Sequence, residues 1–220
     1  MKTRSIIGLA VAAIVGGAAA LSWSLSIWLA FRSAPSEATG QGPVITSEFD
    51  LVDQTGKTVR DEDLGGKWQL VSFGFTSCPD ICPTTLADVT AALEELGPAA
   101  DKLQPLLITV DPERDTPPVL KEYLTAFDPR ILGLTGTPGQ VGAALRSFRA
   151  YASKRPLDGG DYTVDHSAFV YLMDPQGAYT AHFGAQEPVE RMVEKIRTTV
   201  DAGYALGMAP ADPLPRGSAR

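Results

Sequence analysis

The sequence is poor in the residues that staple or ligate: of 220 residues, only two are cysteine and two histidine. Two cysteines build no disulfide framework, so if both matter they act as one pair. Positive charge is short as well, with 19 Lys and Arg against 26 Asp and Glu and a net charge of −7. Phosphate neutralisation needs a basic face, which sets nucleic acid aside as a partner. The chain has no internal repeat, no cysteine placed for lipid attachment and no transit-peptide pattern.

What the chain has in excess lies at one end. Residues 6–31 form a run of 26 without a charge, about 20 of them apolar, long enough to cross a bilayer core as a helix with some tilt. Lys2 and Arg4 precede the run and Arg32 follows it, a bias that keeps the N-terminus in the cytoplasm and exports the rest, while Trp23 and Trp28 suit the far interface. A signal peptide cleaved near Ala18-Ala19-Ala20 is the alternative. Cleavage there leaves Leu21 to Phe31 as an uncovered apolar N-terminus, whereas an anchor buries it in lipid. The exported part then holds 16 basic and 26 acidic residues, a charge of −10. Without a transit-peptide pattern, the expected place is the inner (cytoplasmic) membrane, crossed once, with the domain facing the periplasm. In a mitochondrion the equivalent side is the intermembrane space.

The expected organisation is a membrane anchor over 1–32, a small, polar linker over 33–46, a domain over 47–202 and a loose, proline-containing tail over 203–220. Within the domain, 69–75 reads as a buried strand. The next segment reads as a helix with Leu86, Val89, Leu93 and Leu96 at helical spacing, Pro83 in its first turn and Gly97-Pro98 at its end. Strands over 106–110 and 131–134 alternate with helices over 118–127 and after Thr137-Pro138, the last carrying Val141, Leu145 and Phe148. Then the style changes. A strand over 168–173, a turn at 174–177 and a return strand over 178–183 precede a helix opened by Pro188. With a hairpin around 49–59 at the start, this order describes an α/β, thioredoxin-like three-layer domain with a central mixed sheet.

Cys78-Pro-Asp-Ile-Cys82 stands where the first core strand hands over to its helix. Residues four apart in a helical turn share a face, near enough to share a metal or to close a disulfide, and a helix N-terminus favours thiolate. A permanent structural disulfide would enclose too short a loop to remove much chain entropy.

The stretch from Thr76 to Leu86, TSCPDICPTTL, resembles the signature of the Sco/SenC family of cytochrome oxidase copper-assembly proteins. The likeness extends through Phe73-Gly74-Phe75, the segment TVDPERDTP from Thr109 to Pro117, and YTVDHS from Tyr162 to Ser167, and so covers nearly all of the exported domain. It implies that Cys78, Cys82 and His166 bind copper. It also implies the role of a membrane-tethered copper metallochaperone, with cytochrome c oxidase subunit II and its CuA centre as recipient and a copper donor protein or thiol reductant as further partners. No enzymatic turnover is required. Two thiolates and one imidazole suit Cu(I), and Cu(II) if another donor joins. The competing reading is a thiol-disulfide oxidoreductase or redox sensor working through Cys78 and Cys82 as a redox-active disulfide. In that chemistry thioredoxin-like folds usually place a proline where this chain has Asp165-His166-Ser167. Peroxide reduction fits less well, because Phe75 and Pro79 stand where peroxiredoxins carry a threonine three residues before the reactive cysteine.

A Cys2His2 zinc site would need His182. A two-residue turn at 175–176 puts His182 opposite Phe169, three positions from His166 and on the other face, so His182 is expected to be a poor co-ligand. Asp165 is a candidate to orient the imidazole or to cap its loop. Asp80, Asp111, Glu113, Arg114 and Asp115 read as a solvated rim and turn chemistry.

Overall fold

The computed structural model describes residues 45–207. The expected anchor (1–32), most of the linker (33–46) and most of the tail (203–220) lie outside the described residues. Among those described, no helix is long and apolar enough to cross a membrane.

Nine strands and four α-helices form the described domain: β1 (Asp50–Asp53), β2 (Thr58–Arg60), β3 (Trp68–Gly74), α1 (Ile81–Leu96), β4 (Leu103–Thr109), α2 (Pro117–Leu124), β5 (Leu132–Thr135), α3 (Pro138–Ser147), β6 (Ala152–Pro156), β7 (Tyr162–His166), β8 (Val170–Met173), β9 (Tyr179–Phe183) and α4 (Val189–Ala205). Seven strands make one sheet in the order β2-β1-β5-β4-β3-β8-β9. Its centre, β3-β4-β5, is parallel, and every other pairing in it is antiparallel. This is the expected mixed sheet.

All seven residues of β3 are buried, which is why its sequence is largely apolar rather than alternating, and its two polar members are bonded, Gln69 to the Ser47 hydroxyl and Ser72 to the Leu106 carbonyl. The strand pleat still sorts them. Leu70, Leu107 and Leu172 face the layer of α1, α2 and α4, while Val71, Ile108 and Tyr171 face the layer that holds Phe148 and Val141 of the α3 region. Helix α3 starts as its sequence promised: Thr137 Oγ1 accepts from the Gln140 amide at 3.3 Å, and the Gln140 side chain returns to the Thr137 amide at 2.9 Å. Helix α2 is shorter than the apolar spacing predicts and stops at Leu124. Thr125 turns its hydroxyl back to the Glu122 carbonyl at 2.6 Å, and Pro129 disfavours helical backbone at Asp128. Helix α4 runs past the expected domain end at 202, to Ala205.

The largest departure is the ribbon β6-β7, an antiparallel pair outside the main sheet, where only a loop before the late strand was expected. Strand β6 is mostly exposed and β7 buries only Val164, so the pair shows little apolar patterning. Its one local signal is Asp158-Gly159-Gly160-Asp161, whose glycines take φ of 89° and 86°, a backbone that glycine adopts without strain. His166 therefore ends a strand rather than sitting in a loop.

At the opposite end of β3 from the cysteines, the chain enters the domain tied to the β8-β9 turn. Ser47 N donates to the Gly177 carbonyl at 2.8 Å, Thr46 bridges Ala178, and Ser47 Oγ meets Gln69 Oε1 at 2.6 Å.

Candidate metal centre

Strand β3 ends at Gly74, the chain turns through Phe75, Thr76 and Ser77, and α1 begins at Ile81. Cys78 lies in the turn, its amide donating to the Phe75 carbonyl at 3.2 Å, and Cys82 occupies the first turn of α1. Both are free thiols, Cys78 half-buried and Cys82 buried. Gly74 makes room for Cys82: a Cβ added there would lie 3.1 Å from the Cys82 sulfur.

His166 comes from the far side of the sequence to the same point. Its Nε2 is 3.3 Å from Cys82 Sγ, and one ligand atom from each of Cys78, Cys82 and His166 falls within 4.8 Å of the others. The imidazole Nδ1 is 3.0 Å from the Ser167 carbonyl. A carbonyl only accepts, which assigns the proton to Nδ1 and leaves the Nε2 lone pair facing the sulfurs. Phe75 packs edge-on against the ring at 5.8 Å between centroids.

The helix N-terminus does not dominate Cys82. Burial pushes its thiol well above the ordinary range, and the neighbouring Cys78 adds to the effect. A metal arriving at this thiol must displace a proton.

Asp165 does not orient the imidazole. It pairs with Arg155 across the ribbon, Oδ2 to Nε at 3.0 Å, and the acceptor that fixes the ring is the Ser167 carbonyl, a backbone group with no side-chain signature in the sequence. His182 stays out of the group, as expected, by a different register. It faces Tyr171 rather than Phe169. The turn closes with an extra residue at Gly177 (φ 79°), and a second slip lies between Leu172 and Met173. Two one-residue shifts cancel in parity. His182 Nδ1 lies 2.7 Å from the Tyr179 hydroxyl.

Nor are Asp111 and Asp115 a solvated rim. Both are 0% exposed. Asp115 accepts from the Thr76 amide at 3.0 Å, the Thr76 hydroxyl at 2.6 Å and the Thr109 hydroxyl at 2.6 Å, fastening the turn that carries Cys78. Asp111 accepts from the Tyr162 hydroxyl at 2.9 Å and is paired with Arg114. Three bonds to the Asp115 carboxylate, and two to that of Asp111 of which one comes from a guanidinium, offset their desolvation.

The site thus offers two sulfurs and one imidazole nitrogen, with no fourth His, Cys or carboxylate among the described residues close enough to join. Two soft sulfurs and one borderline imidazole nitrogen fit copper better than a closed structural zinc site.

The family profile described as SCO1/SenC matches residues 37–201. Over 217 residues, covering 94% of this chain and 82% of the relative, the sequence is 39% identical to the mitochondrial protein SCO2 homolog of Mus musculus. Among solved structures, ScoI of Bradyrhizobium japonicum with copper bound is 44% identical, with a TM-score of 0.66 over 70% of this chain and 98% of that one. Yeast Sco1 with copper bound is 40% identical, with a TM-score of 0.68 over 81% of this chain and 96% of that one.

Proposed function

Because the chain belongs to the SCO1/SenC family, we propose that it binds one copper ion through Cys78, Cys82 and His166 and delivers it to the CuA centre of cytochrome c oxidase subunit II during assembly of the oxidase. The observation that carries this reading is the convergence of two thiol sulfurs and one imidazole nitrogen within 4.8 Å, the imidazole 84 positions from Cys82, with its lone pair turned toward the sulfurs. Relatives solved with copper bound support the choice of metal. Copper is cargo here. Thiolates favour Cu(I), and the imidazole extends the set toward Cu(II).

Residues 1–32 serve as a single membrane anchor and 33–46 as its linker, placing the 47–202 domain on the periplasmic side of the inner membrane. The composition of residues 6–31 supports this arrangement. A copper donor protein loads the site, and a thiol reductant keeps the pair reduced.

A second reading uses the same pair as a dithiol. The half-buried Cys78 beside the buried Cys82 suits an attacking and a resolving sulfur. Cys78 thiolate attacks a partner disulfide and releases one partner thiolate. Cys82 then attacks the mixed disulfide, leaving Cys78–Cys82 oxidised and the partner reduced by two electrons.

A Cu(I) titration of the reduced full chain, with protection of both thiols from alkylation as the second signal, separates the two. Copper delivery expects one ion per chain, with binding lost or weakened in each of Cys78→Ser, Cys82→Ser and His166→Ala. If no Cu(I) is bound, copper delivery is wrong. If His166→Ala leaves affinity untouched while Cys78→Ser abolishes disulfide reduction, thiol exchange replaces it.

A further inference from the structure

We infer that Asp111, Arg114 and Tyr162 are positioning residues: as a clamp between the loop after β4 and the β6-β7 ribbon, they set where His166 stands relative to the two thiols. This inference rests on the copper reading above.

The ribbon has little to hold it. A two-stranded antiparallel pair is marginal on its own, and among the five residues of β7 only Val164 is buried. Beneath the ribbon lies an open cavity of about 150 Å3, lined by Val110, Pro112, Val141, Leu145, Lys154 and Val164. Apolar packing is thin there, so polar ties must fix the strand.

Those ties converge on Tyr162, the first residue of the strand that His166 ends. Its hydroxyl donates to Asp111 Oδ1 at 2.9 Å, and its carbonyl accepts from Arg114 Nη1 at 3.0 Å. The Arg114 guanidinium lies 4.0 Å from the centre of its ring and also reaches Asp161 at 3.3 Å. On the other strand, Lys154 pairs with Glu113 at 2.6 Å. Asp111 is fully buried and anchored by its own amide to the Thr109 hydroxyl at 2.9 Å. Four residues on, Asp115 grips Thr76, two residues before Cys78. One short loop therefore holds both halves of the donor set, the sulfurs through Asp115 and the imidazole through Asp111 and Arg114.

Copper chemistry makes the two halves separable. Two thiolates already satisfy much of what Cu(I) asks, whereas Cu(II) depends more on the nitrogen donor. Loosening the clamp should act on Cu(II) first.

The test uses the full chain and the variants Tyr162→Phe, which keeps the ring and loses only the hydroxyl, and Arg114→Lys, which keeps the charge and loses the fork, beside His166→Ala. In metal-free protein, amide hydrogen exchange at 162–166 should quicken at least 10-fold in both clamp variants, with exchange in β3 and β4 unchanged. With metal, Cu(II) affinity should fall by about 10- to 100-fold, the range seen when groups that orient ligands are removed. The nitrogen hyperfine pattern of the Cu(II) spectrum should move toward that of His166→Ala, while one Cu(I) per chain is retained. Parent-like exchange and an unchanged Cu(II) spectrum in both variants would overturn the clamp. So would equal losses of Cu(I) and Cu(II) binding accompanied by a matching fall in melting temperature, which marks residues that merely hold the fold. A parent chain that binds no copper defeats the functional reading instead, and the metal-free exchange measurement then decides the clamp by itself.

Discussion

Gly74→Ala puts a single methyl group against the Cys82 sulfur of the candidate metal centre. The new Cβ would stand 3.1 Å from Cys82 Sγ, 3.3 Å from Leu107 Cδ1 and 3.4 Å from Cys82 Cβ. The first two distances are tighter than normal contact and the third is ordinary. Two effects oppose each other. Alanine in place of a strand glycine restricts the unfolded chain and favours folding by about 0.4–1 kcal/mol. Forcing a methyl into a packed core costs about 1–3 kcal/mol. The clash should win, for a net loss of about 1–2 kcal/mol in the reduced, metal-free protein. Cys82 must then give way by a few tenths of an ångström, disturbing the 3.3 Å approach to His166 Nε2. Urea denaturation of the parent, Gly74→Ala, Cys82→Ala and the double variant isolates the cause. Removing the sulfur removes the closest contact and leaves the one to Leu107 Cδ1, so Gly74→Ala should cost less in the Cys82→Ala background, with a coupling of about 1 kcal/mol. Equal costs in the two backgrounds would refute the claim that Gly74 is there to seat this sulfur.

Asp115→Asn replaces an acceptor of three bonds with a group that offers only one oxygen. A loss of about 1–3 kcal/mol, with faster amide exchange at Thr76 and Cys78, should appear in denaturation and exchange measurements. Asp128 is held below the usual carboxylate range chiefly by its bonds to Arg130, Nη2 to Oδ2 at 2.7 Å. A depressed native pKa stabilises above the unfolded value, near pH 4, and that contribution is lost as pH falls through the native value. Asp128→Asn should therefore be less stable than the parent at pH 7, and the gap should close on acidification; a gap independent of pH contradicts the linkage. His182→Ala should leave the copper stoichiometry and affinity of the parent, because that imidazole lies with Tyr179 and Phe169. A changed stoichiometry would make it a ligand after all.

The alternation of strands and helices was legible because β3, β4 and the helices that cover them announce themselves locally, through apolar runs, helical spacing and caps such as Thr137-Pro138. The ribbon was not legible, since β6 exposes nearly every side chain and carries no apolar period. The two buried aspartates were misread for a related reason. Asp111 and Asp115 stand in a turn-like stretch, and what buries them comes from Tyr162 and Thr76, 51 and 39 residues away. Cys78, Cys82 and His166 were placed together by a resemblance, not by spacing. Their meeting is a tertiary event, because β3 of the main sheet leads into the thiols and β7 of the separate ribbon brings the imidazole. The register of His182 shows the limit from another side: two bulges left the conclusion standing while changing its neighbour from Phe169 to Tyr171.

The point where the chain enters the domain has a mechanical consequence. Ile45 to Ser47 are tied to Gly177, Ala178 and Tyr179, at the far end of β3 from the thiols, a separation of about 20 Å along seven residues of strand. A pull on Ile45 is borne first by its carbonyl bond from the Tyr179 amide and by the bond from the Thr46 amide to the Ser147 carbonyl of α3, and only then by Ser47 with Gly177 and Gln69. These would peel before tension travelled through the sheet to Cys78. Load entering at that pole therefore meets the β8-β9 hairpin and α3 before it meets the turn that carries the sulfurs.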